Sequence, residues 1–192
     1  MESKNLRKLL NEYEEIDINE MLKNFRSIKN SGTKNDIEIF LHEKAIKFEK
    51  SSISSTYVVF SEDNEILGYF TIANRSLILQ KEDLNIISKT LKKRLTKSAS
   101  ENKSGDYVIN SFLLGQVGKN FNLEKNNLTG NEILKIAYEL LLEIRQKIRV
   151  KFIWLECQNN EKILNFYQNF GFSKIDNFIS ENGYNVMIME LK

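Results

Sequence analysis

One stretch in the middle of the chain combines glycines with a helix-start signal in a way that suits an anionic ligand. Gly115 and Gly118 interrupt a strand-like segment, and glycine within a strand often marks a bulge or a place where another molecule lies against the backbone. Further along, Thr129 and Glu132 fit the Thr-x-x-Glu capping box. This spacing predicts Thr129 as the N-cap and Gly130 as the first helical residue.

The start of this predicted helix has the chemistry that binds phosphate. Free N–H groups at Thr129, Gly130 and Asn131 would point at an anion, and the positive end of the helix dipole favours negative charge there. Lys119 and Lys125 add positive charge nearby. The alternative is a capped helix that binds nothing, because the capping box needs no ligand.

The scarcity of histidine and cysteine excludes several kinds of catalytic site. His42 is the only histidine and Cys157 the only cysteine. Histidine triads, two-histidine metal centres, multi-cysteine zinc sites and intrachain disulfides are therefore excluded, and no metal is expected. His42 is predicted to be a partly exposed helix residue. Cys157 is predicted to be a buried filler, since nothing nearby in sequence would lower its pKa.

Composition favours one soluble domain. The 192 residues include 41% hydrophobic ones, and 28 Lys and Arg against 26 Asp and Glu leave a net charge of only +2. This balance gives no general electrostatic argument for binding nucleic acid or a membrane surface. Residues 1–15 lack the apolar core of a signal peptide, and no apolar run approaches the ~20 residues that span a bilayer. We therefore expect a cytoplasmic protein that does not contact membranes.

The chain is predicted to form one domain over residues 1–192, with a helical segment at 1–34 and a polar, basic insertion at 81–105. Asp17 can cap a first helix, which breaks at Asn30-Ser31-Gly32, and a second helix starts near Asn35 or Asp36. Two β-branched and aromatic runs around four polar residues predict a hairpin of Thr56–Ser61 and Ile66–Ala73.

The second half alternates strands and helices, which predicts an α/β (α+β) fold with a mixed central sheet flanked by helices and parallel neighbours around each strand–helix–strand unit. Gly171 suits a helix end, and Asn182-Gly183 suits a tight hairpin turn. The predicted elements are a strand at Tyr107–Gly118, a helix at Gly130–Ile148, a strand at Val150–Cys157, a helix at Asn159–Phe170, and strands at Phe172–Ile179 and Tyr184–Leu191.

The insertion carries a basic run with two interpretations. Its five cations are Lys89, Lys92, Lys93, Arg94 and Lys97. They form either a solvated helix face or a patch that contacts an anionic partner such as RNA.

Five blocks of the sequence together resemble the GNAT family of acetyl-CoA-dependent N-acyltransferases, most closely small bacterial members of low-GC Gram-positive type and more distantly the GNAT toxins. The most specific piece is Phe166-Tyr167 followed by Gly171-Phe172, which is similar to a late family motif. The early hairpin, ending in Gly68-Tyr69-Phe70, resembles the family's first strand pair. The other blocks are Leu114–Asn120, Leu128–Leu134 and Trp154–Cys157.

The resemblance implies a GNAT fold with splayed central parallel strands and acetyl-CoA as co-substrate. In the family, the pantetheine arm bonds to a strand that corresponds here to Val117, Gly118 and Lys119. The diphosphate lies on an Arg/Gln-x-x-Gly-x-Gly/Ala loop, whose positions correspond to Lys125, Leu128 and Gly130. Lysine and leucine replace the first two family residues, so only the last glycine is kept.

The resemblance also assigns catalytic candidates. Tyr167 matches the family tyrosine that protonates the departing thiolate, and its alternative is a packed aromatic on the inner stripe of its helix. Glu156 is the best candidate for a general base, its alternative being a strand-end carboxylate in a structural hydrogen bond. Asn159 or Asn160 would cap the last helix or reach the cofactor, and Asn160 is included among the cofactor-binding candidates.

The sequence is therefore interpreted as an acetyl-CoA-dependent N-acetyltransferase that acetylates a primary amine by direct attack in a ternary complex. The acceptor is a small molecule, a protein amine or charged tRNA. One alternative is a non-catalytic domain that binds acyl-CoA or a partner, and another is a toxin-like GNAT acting on charged tRNA. A homodimer is a further expectation, because many relatives of this kind pair.

Overall fold

A computed structural model describes residues 1–28 and 35–192 and resolves two compact units. Unit 1 comprises Met1–Ala73 and Gly115–Glu139, and unit 2 comprises Asn74–Leu114 and Leu140–Lys192. The helix break predicted at Asn30-Ser31-Gly32 lies outside the described residues.

The strands form two sheets. A seven-stranded sheet has the order β1-β2-β3-β7-β8-β10-β9, and a three-stranded sheet has the order β4-β6-β5. The strand bounds are β1 (Glu2–Asn5), β2 (Ser55–Phe60), β3 (Ile66–Asn74), β4 (Leu77–Leu79), β5 (Ala99–Glu101), β6 (Tyr107–Ile109), β7 (Ser111–Lys119), β8 (Phe152–Cys157), β9 (Ser173–Ile179) and β10 (Asn185–Glu190).

Helices occupy much of the remaining described chain. A π-helical turn at Phe40–Lys44 joins α3 to α4. The helix bounds are α1 (Leu6–Glu12), α2 (Glu15–Lys23), α3 (Asp36–Ile39), α4 (Ala45–Lys50), α5 (Asp83–Ile86), α6 (Lys89–Thr96), α7 (Gly130–Lys147) and α8 (Glu161–Phe170). No helix among these is long and apolar enough to cross a membrane, as far as the described residues extend.

Unit 1 confirms the predicted hairpin but adds a strand. β2 pairs antiparallel with β3, as expected from the two apolar runs. β1 pairs antiparallel with β2, with Glu2 opposite Phe60, although its polar sequence carries no strand pattern. Asn35 caps α3, its side-chain oxygen accepting from the Glu38 N–H at 3.1 Å, which confirms the predicted start of the second helix.

Two further predictions for unit 1 were wrong. Asp17 lies inside the first turn of α2, whose N-cap position is Glu14. His42 is buried on the π-helical turn rather than partly exposed, and its Nε2 lies 3.0 Å from the carbonyl oxygen of Phe25. The position of the π turn could not be expected from side-chain periodicity, because an inserted residue shifts the apolar stripe.

The single long strand predicted at Tyr107–Gly118 was wrong, because the segment forms two strands, β6 and β7. The segment divides at Asn110, and β6 pairs with β4 and β5 instead of extending β7. Ser111 fixes the division, because its hydroxyl donates to Ile109 at 2.9 Å and accepts from the N–H of Leu77 at 2.9 Å. The predicted polar insertion thus contains α5, α6 and β5.

A parallel ladder joins β7 to β8 over a short distance. Its residue pairs are Ser111 with Phe152, Phe112 with Ile153 and Leu113 with Trp154. β10 then pairs antiparallel with both β8 and β9, and Gly183 adopts φ +80° in the intervening hairpin turn. Gly171, at φ +123°, ends α8 as predicted. The result is the mixed sheet flanked by helices that the sequence predicts.

A buried carboxyl group lies where α4 leads into β2. Glu49 is 5% exposed, and its Oε2 accepts from the N–H of Thr56 at 2.7 Å. Burial raises the pKa of Glu49, while the Thr56 N–H and the Arg7 charge oppose the increase. A carboxyl pKa above its unfolded value means that the folded state holds the proton more tightly. The stability contributed by this group is therefore complete below the unfolded pKa and is lost as pH rises through the folded pKa.

We predict that Glu49→Gln gains stability relative to the native protein as pH rises from 4 to 8. The amide keeps an oxygen for the Thr56 N–H but never ionises. Urea midpoints of both proteins across this range measure the difference, and Glu43→Gln, at an exposed position, is the matched control. A stability difference that stays constant with pH would show that Glu49 ionisation does not affect folding.

Candidate functional site

At the end of β7 in unit 1, the backbone N–H groups divide between the edge that faces β3 and the opposite edge. The N–H of Gln116 donates to the Thr71 hydroxyl at 2.8 Å, and the N–H of Asn120 donates to the Leu67 carbonyl at 2.9 Å. Both partners belong to β3. Because backbone donors alternate along a strand, the N–H groups of Val117 and Lys119 point to the opposite edge. The parallel ladder at that edge ends at Leu113, so these two donors lie beyond its last pair.

Asn120 fixes the position of this strand end. It is 2% exposed, and its side chain donates to the carbonyl of Ile66 at 2.8 Å and accepts from the N–H of Arg26 at 2.9 Å. The Arg26 guanidinium in turn pairs with the buried carboxylate of Glu38 at 3.1 Å. The strand end is therefore held on a rigid part of unit 1.

The structure gives the glycines of β7 a packing reason of their own. A Cβ on Gly118 would lie 2.6 Å from Ile37 Cγ2 and 2.9 Å from the rings of Phe25 and Tyr69. A Cβ on Gly115 would lie 2.8 Å from the Thr71 hydroxyl. The protein's own side chains occupy the space that a Cβ would need at both glycines, so neither glycine is by itself evidence of a ligand.

The predicted capping box opens α7. The Thr129 hydroxyl accepts from the Glu132 N–H at 3.2 Å, and the Glu132 carboxylate accepts from the Thr129 N–H at 2.7 Å. Gly130 is the first helical residue, as the sequence predicts. The start of the helix is thus closed by reciprocal bonds between side chains and backbone.

The capping box and its loop reduce the donors open to a phosphate. The Leu128 N–H donates to the Asn126 side chain at 3.0 Å, and the Thr129 N–H is taken by Glu132. The side chain of Leu128 is 3% exposed and belongs to the core. Within the described part of the chain, the N–H groups of Gly130 and Asn131 have no such partner.

The two lysines of the loop differ in their freedom. Lys119 donates to the carbonyl of Asn126 at 2.9 Å, and its ammonium lies 5.7 Å from the centre of the Phe121 ring. Lys125 is exposed and takes part in no ion pair with the described residues. Asn126, which sequence reasoning missed, also donates to the carbonyls of Leu67 and Asn120 at 2.7 Å and so shapes the loop. The sequence did carry a local signal for Asn126, because an asparagine side chain often accepts from the backbone N–H two residues further on, as here from Leu128.

Glu132 places a negative charge where a phosphate would bind. Hydrogen bonds from the backbone and hydroxyl of Thr129 lower the pKa of its carboxyl, so it is ionised at neutral pH. The helix start therefore already holds one anion, and a diphosphate would have to use Gly130 and Asn131 beside it.

The catalytic candidates of unit 2 cluster at the carboxyl end of β8. Glu156 is half-buried, and its Oε2 accepts from Asn182 at 3.4 Å, a structural contact of the kind considered as its alternative role. Asn160 caps α8 by accepting from the N–H groups of Lys162 and Ile163. Its side-chain oxygen is thus committed to the helix, which is the capping role that the sequence analysis gives as one of its two possibilities.

Tyr167 is half-buried on α8 and packed edge-on against two rings. The ring centres of Phe166 and Phe172 lie 4.9 Å and 5.8 Å away. Burial, and secondly the neighbouring Cys157 thiol, raise the pKa of Tyr167 to about 12. Burial also raises the pKa of the Cys157 thiol, so both groups keep their protons at neutral pH. Within the described residues, the Tyr167 hydroxyl makes no hydrogen bond to protein.

The sequence-predicted residues thus fall into two groups. One group lies at the end of β7 and the start of α7 in unit 1, where the side chain of Leu128 is buried. Its other members are Val117, Gly118, Lys119, Lys125, Thr129, Gly130 and Asn131. Glu156 and Tyr167 lie in unit 2 with Asn160. No cluster of three or more metal-binding side chains exists among the described residues.

We predict that Gly118→Ala lowers the free energy of unfolding by about 1–3 kcal/mol, the usual cost of overpacking a core. The added methyl group enters the space held by Ile37, Phe25 and Tyr69. Urea denaturation of Gly118→Ala, Ile37→Ala and the double variant measures the coupling. A double variant as unstable as the sum of the singles would show that the two side chains do not compete for this space.

Comparison with known proteins gives the fold. No protein-family model and no curated protein matches the sequence. Among solved structures, AtaTR bound with AcCoA is similar at 16% identity and TM-score 0.60, over 99% of this chain and 92% of that chain. AtaT complexed with acetyl-methionyl-tRNAfMet is similar at 17% identity and TM-score 0.61, over 88% of this chain and 86% of that chain. A tyrosine-to-phenylalanine mutant of KacT is similar at 17% identity and TM-score 0.59, over 88% of this chain and 89% of that chain. The chain has the GNAT fold of these structures.

Proposed function

We propose that this protein is an acetyl-CoA-dependent N-acetyltransferase of the toxin type, which acetylates the α-amino group of an aminoacyl-tRNA. The observation that carries the proposal is the edge of β7, where two backbone donors lie beyond the end of the parallel ladder, followed by the open N–H groups of Gly130 and Asn131. Similar structures bound with AcCoA and with acetyl-methionyl-tRNAfMet support this choice of co-substrate and acceptor.

Unit 1 supplies the groups that would hold acetyl-CoA. The N–H groups of Val117 and Lys119 would bond the amides of the pantetheine arm in the manner of an added strand, with Gly118 between them. Gly130 and Asn131 would donate to the diphosphate at the positive end of α7. The exposed Lys125 would balance its charge.

Unit 2 supplies a hydrogen-bond donor for the departing thiolate. Tyr167 keeps its proton at neutral pH, and a thiol has a pKa of about 8.5, so complete proton transfer from a phenol of pKa about 12 is uphill. The hydroxyl therefore acts mainly by donating a hydrogen bond to the sulfur as negative charge develops there. Cys157 does not compete in the reaction, since its thiol is neutral.

The chemistry of the acceptor amine favours an aminoacyl group over a lysine side chain. An α-amino group has a pKa of about 7.7–8.0, whereas a lysine ammonium has a pKa of about 10.4. A substantial fraction of α-amino groups is therefore neutral at physiological pH and ready to attack a thioester. Such an acceptor requires little of Glu156, whose carboxylate is engaged by Asn182.

We predict that Tyr167→Phe lowers kcat about 100-fold or more, within the usual range for a lost hydrogen-bond donor to a developing negative charge. The Kd for acetyl-CoA should stay within about twofold, because the ring packing against Phe166 and Phe172 is kept. Thiol release with aminoacyl-tRNA and calorimetry with acetyl-CoA measure the two quantities. Tyr184→Phe, which removes another phenol hydroxyl from unit 2, is the control. Normal turnover by Tyr167→Phe would remove this residue from the mechanism.

We predict opposite changes in acetyl-CoA affinity from two substitutions at the start of α7. Gly130→Asp should raise the Kd about tenfold by repelling the diphosphate, and Glu132→Gln should lower it several-fold by removing a competing charge while keeping the capping bonds. Glu139→Gln, further along the same helix, should change nothing. Unchanged affinity in Gly130→Asp would place the diphosphate elsewhere.

A second candidate is a domain that binds acyl-CoA without catalysis. The engaged N–H groups of Leu128 and Thr129 and the carboxylate of Glu132 favour it, because they weaken the phosphate site. Thermal unfolding with and without acetyl-CoA, followed by thiol release with aminoacyl-tRNA and a panel of amines, distinguishes the two. Stabilisation by acetyl-CoA without thiol release from any acceptor would favour the binding domain.

A further inference from the structure

A cationic cavity lies in unit 2 where α7 leads into β8. Its volume is about 630 Å³, and four of its lining residues are Arg145, Arg149, Lys151 and Lys192, above a floor of Leu142 and Val150. No carboxylate in the described part of the chain forms an ion pair with Arg145 or Arg149. The dipole of α7 accounts for a cation in its last turn, where Arg145 lies. It does not account for the cations beyond the helix end.

One carboxylate links this cavity to the basic helix α6. Glu190 accepts from Lys151 at 3.4 Å and from Arg94 at 2.9 Å. α6 has no acidic residue, and Lys89, Lys93 and Lys97 recur at four-residue spacing in exposed positions. Such spacing puts side chains on one face of a helix, along about 12 Å of its length. Glu190 therefore joins two groups of cations and neutralises only part of their charge.

We propose that this basic surface, formed by Lys89, Lys93, Arg94, Lys97, Arg145, Arg149, Lys151 and Lys192, binds the phosphate backbone of an RNA. Its extent exceeds what one small anion would cover. Lysine is depleted in interfaces between proteins, whereas interfaces with nucleic acids are strongly positive. Arginine guanidinium groups without carboxylate partners suit bidentate contacts to phosphate.

The surface is separate from the catalytic candidates of its own unit. Lys151 precedes β8, and Glu156 lies near the opposite end of that strand. Five residues of extended strand separate them by about 16 Å. An RNA on the basic surface would thus be held away from the reacting amine. The inference rests on the proposed function only in its choice of tRNA as the RNA.

The test measures binding of a fluorescently labelled tRNA transcript as a function of salt concentration. Arg145→Gln/Arg149→Gln and Lys89→Gln/Lys93→Gln should each raise the Kd about tenfold and reduce the slope of log Kd against log salt by about 1.4–1.8, as two lost phosphate contacts require. The control is Lys8→Gln/Lys44→Gln, which removes the same charge from exposed positions of unit 1 and should change neither quantity. Thermal unfolding checks that every variant is folded.

Two further measurements separate the possible failures. Acetylation of an aminoacyl-adenosine, the aminoacylated 3′ end alone, should be unchanged in both variants, because a single nucleoside does not span the ~16 Å to the basic surface. If the unsubstituted protein acetylates neither aminoacyl-adenosine nor aminoacyl-tRNA, the proposed function is contradicted, whereas unchanged tRNA binding in the variants would overturn the basic surface alone. The second measurement is displacement of the tRNA by poly-glutamate of equal charge. If poly-glutamate displaces the tRNA and both variants lose affinity for poly-glutamate as well, an acidic protein segment is the partner instead.

Discussion

The backbone of β7 determines what this fold offers a ligand. Over Ser111–Leu113 the strand has a parallel partner in β8, and beyond that point its described hydrogen bonds go to β3. A half-buried backbone N–H is best satisfied by a hydrogen bond, so Val117 and Lys119, which lie beyond the last pair of this ladder, are suited to an extended molecule that bonds them. The packing of Phe25, Ile37 and Tyr69 against Gly118 keeps this strand end in place from the other direction. The donors are therefore preorganised rather than created by binding.

At the start of α7, the hydrogen bonds that stabilise the helix use donors that an anion would otherwise bind. A capping box stabilises the helix by filling the donors that an anion would otherwise use. Here Glu132 takes the Thr129 N–H, Asn126 takes the Leu128 N–H, and the side chain of Leu128 is part of the core. Gly130 and Asn131 remain open. In the proposed function, the two N–H groups and the exposed Lys125 would favour a diphosphate, and the fixed carboxylate of Glu132 would oppose it.

Local signals predicted much of the fold, and tertiary contacts decided the rest. The hairpin of β2 and β3, the capping box of Thr129 and the helix end at Gly171 depend on neighbouring residues, and each was found as predicted. β1 could not be predicted, since its four polar residues show no strand periodicity and it pairs with β2 along the backbone. The division at Asn110 required the distant Leu77 N–H, which bonds Ser111. Strand periodicity carries no information about either contact.

The candidate site shows the same division. Sequence placed Gly130 at the start of its helix, but it could not reveal that the Leu128 N–H is engaged or that Gly118 is required by three core side chains. Whether a donor is open depends on what fills the space beside it. Resemblance to a family identifies positions, and only the structure shows which of their atoms are committed.

In the proposed function, the chemistry and the recognition of the acceptor fall to different ends of unit 2. At the carboxyl end of β8, a phenol of pKa about 12 and a neutral thiol provide little acid or base strength. Such a site distinguishes poorly between amines that are already neutral. Selectivity must then come from binding the acceptor outside the reacting group. Cations at the other end of the same strand can supply it, because a polyanion of sufficient length reaches both ends and a free amino acid does not.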